Sequence, residues 1–293
     1  IISQSGELLL EILVGDDHSQ DNTGEIIQQI ADQYPGLIRY FRHSENKGPS
    51  ENLRFVIAEA RGDYVAHLDG DDYWLPGKLN AQVQLLEQHS ECPAVYTNAL
   101  VVDDSGIVKG VFNNTLANRF DINALLRRGN FLNNSSMLYR ASVRHSILNI
   151  KGALLDYRIH LCLAYHGEIA YLNQALLVYR AVSSNSSLVH ANDKVREMYW
   201  EALQSVPREK VNINDLGRGM AEFMRSVVFR SIRVGSFSLI TKWWPIVVDK
   251  SPISRRATIF WILLAVIRTG LIETITYICT IISGNKLKVF YRR

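Results

Sequence analysis

The sequence predicts an α/β fold on a mostly parallel sheet flanked by helices, with a helical C-terminal region. Three observations predict it. The first strand candidate is an almost unbroken apolar run, the mark of a parallel strand covered on both faces. Strand and helix patterns then alternate as β-α-β-α-β, which implies right-handed crossovers. From about Asp193 the pattern turns helical, with no strand pattern until the very end.

Leu8 to Gly15 is the first strand, ending at Asp16-Asp17. Asp21-Asn22-Thr23 signals a helix start, and Ile26, Ile27, Ile30 and Ala31 give Thr23 to Tyr34 one apolar face before Pro35-Gly36 stops it. Leu37 to Arg42 is the second strand, the helix from Ser50 to Ala60 follows, and Asp63 to Leu68 is the third strand. Gly77 to His89 reads as a helix, Ala94 to Val102 and Ile107 to Phe112 as strands about an Asp104-Ser105-Gly106 turn. Asn123 to Arg128 is helical, and Phe131 to Tyr139 is irregular before it ends on an apolar strand. A helix opens at Leu155-Asp156 and closes at Gly167. Glu168 to Asn173 and Leu176 to Tyr179 are the last strand candidates before a polar loop at Ser183 to Ser187.

The chain is organised around His67-Leu68-Asp69-Gly70-Asp71-Asp72-Tyr73-Trp74-Leu75-Pro76, where a strand runs into three carboxylates within four residues. Charges held that close call for a counter-cation, and clustered carboxylate oxygens suit a hard ion such as Mg²⁺ or Mn²⁺. Ligands also sit at the carboxyl ends of strands in α/β sheets. A solvated acidic turn is the plainer alternative.

At 293 residues and 47% hydrophobic, the chain has the material for one large domain or a domain with an appendage. Cys92, Cys162 and Cys279 lie far apart without metal-ligand spacing and read as free thiols in a reducing compartment. The net charge of +3 conceals a division: residues 205–293 carry 15 Lys/Arg against 5 Asp/Glu, and residues 1–204 carry 17 against 24. A basic, apolar tail on an acidic body favours a membrane surface over nucleic acid. Its most apolar windows, 257–267 and 271–282, are broken by Arg268 and Glu273, short of the ~20 apolar residues of a spanning helix. They read as a helical hairpin in the membrane interface, flanked by Arg255, Arg256, Lys286, Lys288, Arg292 and Arg293; a helical subdomain or an oligomer contact is the alternative. The division falls between residues 1–192 and 193–293.

Taken in order, three sets of residues resemble the glycosyltransferase family 2 enzymes of the GT-A fold. The first is Glu11-Ile12-Leu13-Val14-Gly15-Asp16-Asp17-His18-Ser19 through Thr23. The second is Glu45-Asn46-Lys47-Gly48 followed by Ala60-Arg61-Gly62-Asp63 through Asp72. The third runs from Leu155-Asp156-Tyr157-Arg158 through Ala164, with Ala170-Tyr171-Leu172-Asn173 and Val178-Tyr179-Arg180 after it. Each is weak alone; their order and spacing agree over roughly residues 1–190. Two features depart from the family. It normally has a strand and helix ahead of the first match, so the sequence, which begins Ile1-Ile2-Ser3, reads as a fragment lacking them. It often has a histidine where Val182 stands, and no role is assigned there.

The resemblance implies an inverting, metal-dependent transferase. It would move a sugar from a nucleotide-sugar donor, UDP-linked, to a saccharide or lipid-linked acceptor in bacterial surface polysaccharide synthesis. It would work peripherally at the cytoplasmic face of the inner membrane, without nucleic acid. By that resemblance Asp17 bonds the uracil, with Asp16 and Asn46 nearby on the donor side. Asp71 ligates a Mn²⁺ or Mg²⁺ ion, Asp69 contacts it or the ribose, and Asp156 is the catalytic base. Asp72 either helps there or caps the next helix. Asn134 and Ser135, with Asn133 and Ser136, fall in the region lining the sugar site in similar enzymes, yet are also ordinary loop residues. Trp74 or Tyr73 stacks on a sugar or is buried beside the sheet, and His160, one turn beyond Asp156, touches the acceptor or is merely its neighbour. A sugar-phosphate nucleotidyltransferase and a non-catalytic nucleotide- or sugar-binding module are the rival readings; the first lacks its Gly-rich basic loop, and retention of Asp69, Asp71 and Asp156 opposes the second.

Overall fold

The computed structural model describes residues 1–4, 8–181, 192–283 and 287–291. The chain begins with β1 (Ile12–Asp16), α1 (Thr23–Gln33), β2 (Ile38–Arg42), α2 (Pro49–Glu59), β3 (Tyr64–Ala66), β4 (Tyr73–Trp74) and α3 (Lys78–Gln88). It continues with β5 (Ala94–Val102), β6 (Val108–Asn113), β7 (Arg119–Phe120), α4 (Ile122–Arg128), β8 (Leu138–Arg140), α5 (Arg144–Leu148), α6 (Asp156–Ala164) and β9 (Ile169–Arg180). The C-terminal elements are α7 (Asn192–Gln204), α8 (Ile213–Val234), α9 (Ser238–Lys250), α10 (Arg255–Ser283) and β10 (Lys288–Tyr291). The loop read at Ser183 to Ser187, Val182, and the flanking Lys286, Arg292 and Arg293 lie outside the described residues.

The α/β class and the flanking helices are as expected, and the sheet directions are more varied than alternation implied. β1 and β2 pair in parallel as a two-stranded sheet. β3 pairs with β8, antiparallel, in a second and larger sheet. There β5 runs parallel to β9 and antiparallel to β6 and β8. The reason is local: the turn at Asp103 to Gly106, with Gly106 at φ 76°, is too short for a crossover and returns the chain antiparallel. The two strands read at the end of the α/β part are one strand, β9, whose register against β5 shifts near Asn98, where the Asn98 side chain donates to Asn173 Oδ1 at 3.2 Å.

The tail corrects the hairpin reading. Residues 257–267 and 271–282 belong to one continuous helix, α10. Gly270 costs such a helix only ~1 kcal/mol, and no proline interrupts it. Its stretch Arg255–Thr276 is, by length and composition alone, long and apolar enough to cross a membrane. The compositional division near residue 192 also does not divide the core. A single apolar cluster includes Tyr96, Leu126 and Tyr157 together with Leu203, Met220, Phe223, Trp243 and Ile262. Tyr157 of α6 stacks on Tyr199 of α7 at 4.5 Å, Gly219 of α8 lies against the Leu126 carbonyl at the end of α4, and β10 adds in parallel to β6. Each large apolar side chain buried there contributes ~1.5–3 kcal/mol. The helices thereby hold α4 and α6 rigidly behind the acidic residues.

Candidate active site

The carboxyl end of β3 delivers Asp69, and the short turn at Asn134–Ser136 before β8 receives it. Ser135 is fully buried. Its hydroxyl accepts from the Asp69 N–H at 3.0 Å and donates to Asp69 Oδ2 at 3.1 Å. His67, two residues back in the segment that follows β3, places Nε2 at 2.8 Å from Asp69 Oδ1. Burial pushes the Asp69 carboxyl up, but hydrogen bonds from His67, Ser135 and Asn134 outweigh it and hold the group below the usual carboxylate value. Asp71 next to it is exposed.

Asp72 turns inward. It is 8% exposed, and its Oδ1 accepts from the Arg180 N–H at the end of β9 at 3.0 Å. Burial pushes its carboxyl up to about 6, with the charges of Asp71 and Asp69 adding to the effect. Asp72 thus ties the acidic turn to β9; it is not the cap of α3, whose N-cap is Gly77 at φ 80°. Trp74 fixes the same turn from another side. Its indole Nε1 donates to the Ser135 carbonyl at 2.8 Å, and Nζ of the buried Lys78 lies over its ring at 4.3 Å. Lys78 in turn donates to Gln82 Oε1 at 2.7 Å, and Gln82 donates to the Ser136 carbonyl at 2.8 Å.

Asp156 occupies the first position of α6, after Leu155 as N-cap. Burial raises its carboxyl above the usual range and the Asp69 charge raises it further, while the Asn130 side chain and His67 pull the other way. The two acids are therefore close enough for charge on one to be felt by the other. Asn130 Oδ1 also receives His160 Nδ1 at 3.0 Å. An amide oxygen only accepts, so that ring nitrogen carries the proton. Burial pushes His160 down to about 3, which keeps the ring neutral. Tyr96 packs edge-on against His160 at 4.9 Å.

Asp16 ends β1 and Asp17 follows it, on the smaller sheet. Asp16 is buried; it accepts from Ser19 N–H at 2.7 Å and from the Tyr40 hydroxyl at 2.7 Å. Burial raises its carboxyl, but those bonds win and leave it lowered. Asp17 accepts from Lys47 N–H at 2.7 Å and Gly48 N–H at 2.9 Å, and Asn46 Oδ1 accepts from the same Gly48 N–H at 3.1 Å. A carboxylate has about four lone-pair sites, so Asp17 retains acceptor capacity toward an imide.

The residues read as sugar contacts are each held by the acidic turn or its neighbours. Ser135 and His160 are buried behind Asp69 and Asp156, Trp74 is pinned by Ser135 and Lys78, and Asn134 bonds Asp69. Sequence reading passed over five contributors. His67 was visible two residues before Asp69, and Lys78–Gln82 as a pair one helical turn apart. Asn130 and the Arg180 backbone carry no local signal.

Among the described residues, no three His, Cys, Asp or Glu side chains converge into an all-protein metal cage. The donor set still fits an ion shared with a diphosphate. Such ions bind through one or two carboxylates and complete their shell with phosphate oxygens and water, and the exposed Asp71 beside the ionised Asp69 offers that pair. A hollow of about 570 Å³ at the other end of β3, between Glu59–Asp63 and Arg144, holds none of these acids.

Comparison with known proteins identifies the family. The model of glycosyl transferase family 2 matches residues 1–147, half of the chain, and the chain belongs to that family. An uncharacterized protein of Mycobacterium tuberculosis is 32% identical over 201 residues, covering 68% of this chain and 57% of the relative. The chain thus spans little more than half the length of such curated relatives. The glucosyltransferase WfaP of Escherichia coli, named for UDP-Glc and an α-D-GlcNAc-diphosphoundecaprenol acceptor, is 29% identical over 136 residues, 46% of this chain and 51% of its own. Among solved structures, residues 1–349 of Staphylococcus aureus TarS in complex with UDP-GlcNAc superpose with a TM-score of 0.56 at 15% identity, covering 76% of this chain and 66% of that one. At that identity the likeness is one of fold.

Proposed function

We propose that the protein is an inverting glycosyltransferase that moves a sugar from a UDP-sugar to a saccharide or lipid-linked acceptor. What supports the proposal is that Asp69, beyond the end of β3, and Asp156, at the start of α6, lie near enough for the charge of Asp69 to act on Asp156, and that their proton affinities are shifted in opposite directions. Asp69 is held ionised, as a donor-side ligand needs, and Asp156 is raised toward the range of a working base. The donor would lie along the ends of β1 and β3, with its base at Asp17 and its diphosphate at Asp69 and Asp71. Enzymes of this family generally use a divalent metal; Asp71 and Asp69 would hold Mn²⁺ or Mg²⁺ here, which supplies Lewis-acid stabilisation of the departing diphosphate. Asp156 takes the proton of the acceptor hydroxyl as that oxygen bonds to the anomeric carbon and the bond to the diphosphate oxygen breaks. Asn130 orients Asp156, and His160, neutral, orients Asn130.

The names of WfaP and of the TarS complex support a UDP-linked donor, and WfaP supports a lipid-linked acceptor. With the basic, apolar C-terminal helices, these names support a reading in which the protein works at the cytoplasmic face of a bacterial membrane in surface polysaccharide synthesis. The test is release of UDP from a panel of nucleotide sugars, with and without Mn²⁺, by the wild type and by Asp156→Asn. Turnover should fall by at least ~10²-fold in the variant, with UDP–Mn²⁺ affinity nearly unchanged; an equally active variant rules Asp156 out as base.

A further inference from the structure

A groove of about 250 Å³ opens between α4, α8 and α10, away from the acidic pocket. Its apolar lining is Ala221, Leu264, Ala265 and Trp261, and its charged lining is Arg127, Arg218 and Arg268 with one carboxylate, Glu222. These charges do not cancel. Arg127 and Arg218 share Asp215, at 2.5 and 3.6 Å, and Arg225 and Arg268 share Glu222, the former at 2.8 Å. Four guanidinium groups thus meet two carboxylates. Arg218 also lies over the Trp261 ring at 4.0 Å, which holds its fork at the groove while the side chains of Arg127, Arg218 and Arg268 remain 39%, 39% and 52% exposed.

Leu264 joins this groove to a second feature. Along α10 the exposed apolar residues Phe260, Leu263, Leu264, Ile267, Leu271, Ile275 and Ile278 recur every three or four positions, which puts them on one stripe. Over the first part of α10 the opposite stripe is buried, with Thr258, Ile262 and Ala265 facing the molecule; beyond Ala265 the described helix is exposed or half-exposed all round. A long apolar stripe bordered by surplus arginine is the pattern of a helix lying in a bilayer interface, and guanidinium forks match phosphate oxygens.

We propose that this groove binds the phosphate headgroup of an anionic phospholipid while the exposed stripe of α10 enters the adjoining acyl layer. The occupant follows from charge and shape together: a neutral apolar partner leaves the surplus guanidinium groups unanswered, and a soluble anion leaves the stripe in water. This deepens the membrane-surface reading above and rests on it. It also orients the protein, since α4, which lines the groove through Arg127, leads directly to Asn130 of the acidic pocket.

The experiment is co-sedimentation of the whole chain with vesicles of phosphatidylcholine alone and of phosphatidylcholine mixed with phosphatidylglycerol. The wild type should bind the anionic vesicles about tenfold more tightly or better. Arg218→Gln/Arg268→Gln should lose most of that preference and keep its binding to neutral vesicles, whereas Arg218→Lys/Arg268→Lys, a check on folding, should retain it in part. Ile267→Glu/Leu271→Glu should weaken binding to both. Equal wild-type binding to the two vesicles, or a preference untouched by the glutamine pair, overturns the headgroup site and leaves the membrane reading standing. No binding to either vesicle overturns both. A wild-type dimer in solution that the glutamate pair dissociates makes a second copy the occupant and also overturns it.

Discussion

Ser135 grips Asp69 at both ends, its hydroxyl accepting from the backbone N–H at 3.0 Å and donating to the carboxylate at 3.1 Å. One buried hydroxyl therefore sets both where the strand ends and which way the acid points. Ser135→Ala should cost ~1–3 kcal/mol of stability, because the Asp69 N–H loses its partner. It should also weaken UDP–Mn²⁺ binding by ~10-fold, as loss of a support for a metal-binding carboxylate does. Thermal melting and calorimetry read the two effects separately, and unchanged UDP–Mn²⁺ affinity contradicts the role given to Asp69.

Asp72 is a buried acid held for its position at the expense of stability. With its carboxyl raised from 3.8 to about 6, the folded protein binds a proton that the unfolded chain has already lost between those values. Stability from this group is thus highest below pH ~4 and declines as pH rises through about 6, by ~3 kcal/mol at most. In metal-free protein, Asp72→Asn should therefore be more stable than wild type above pH ~6, and the difference should vanish below pH ~4. Melting curves across that range are the measurement; a variant equally stable at neutral pH contradicts the assignment.

Much of this was legible in the sequence because its signals were local. β5 spans Ala94–Val102 as read, α1, α2 and α3 match the reading to within a residue at each end, and they begin directly after Asn22, Gly48 and Gly77. The acids at the end of β3 and at the start of α6 were visible as residue types at element ends. What escaped was non-local. No spacing rule announces that Asn130 reaches Asp156, or that the Arg180 backbone answers Asp72. The directions of the later strands depend on which edges are free to pair, and the tail was split at Arg268 because a charge in an apolar run looks like an end. In the folded chain that charge meets Glu222 on α8, and the helix continues past it.

Gly219 marks where the C-terminal helices meet the α/β part. A Cβ there would stand 2.8 Å from the Leu126 carbonyl oxygen and 3.5 Å from the Leu203 side chain. The obstacle at 2.8 Å is backbone and cannot swing aside, so Gly219→Val must push α8 away from α4. A loss of ~1–3 kcal/mol is expected, as for other overpacked sites. Because α4 leads into Asn130, turnover should fall as well. A variant with the wild-type melting temperature shows that the two helices are not held at this contact.

Asn130 offers the most direct test of how Asp156 is tuned. Its side chain hydrogen-bonds the Asp156 carboxylate and so favours the charged form, against burial and the Asp69 charge, which favour the protonated one. A general base must be ionised to act, so kcat/KM should fall on the acid side as Asp156 takes up its proton. Asn130→Ala removes a stabiliser of the ionised form, and the acid limb should move to higher pH. His160 should add no limb near neutrality in the wild type, since burial holds it down to about 3. UDP–Mn²⁺ affinity should change little, because Asn130 acts on the acceptor side. A pH profile that stays in place while kcat falls at every pH would assign Asn130 to packing alone, and a shift to lower pH would mean that Asp156 is not the group being titrated.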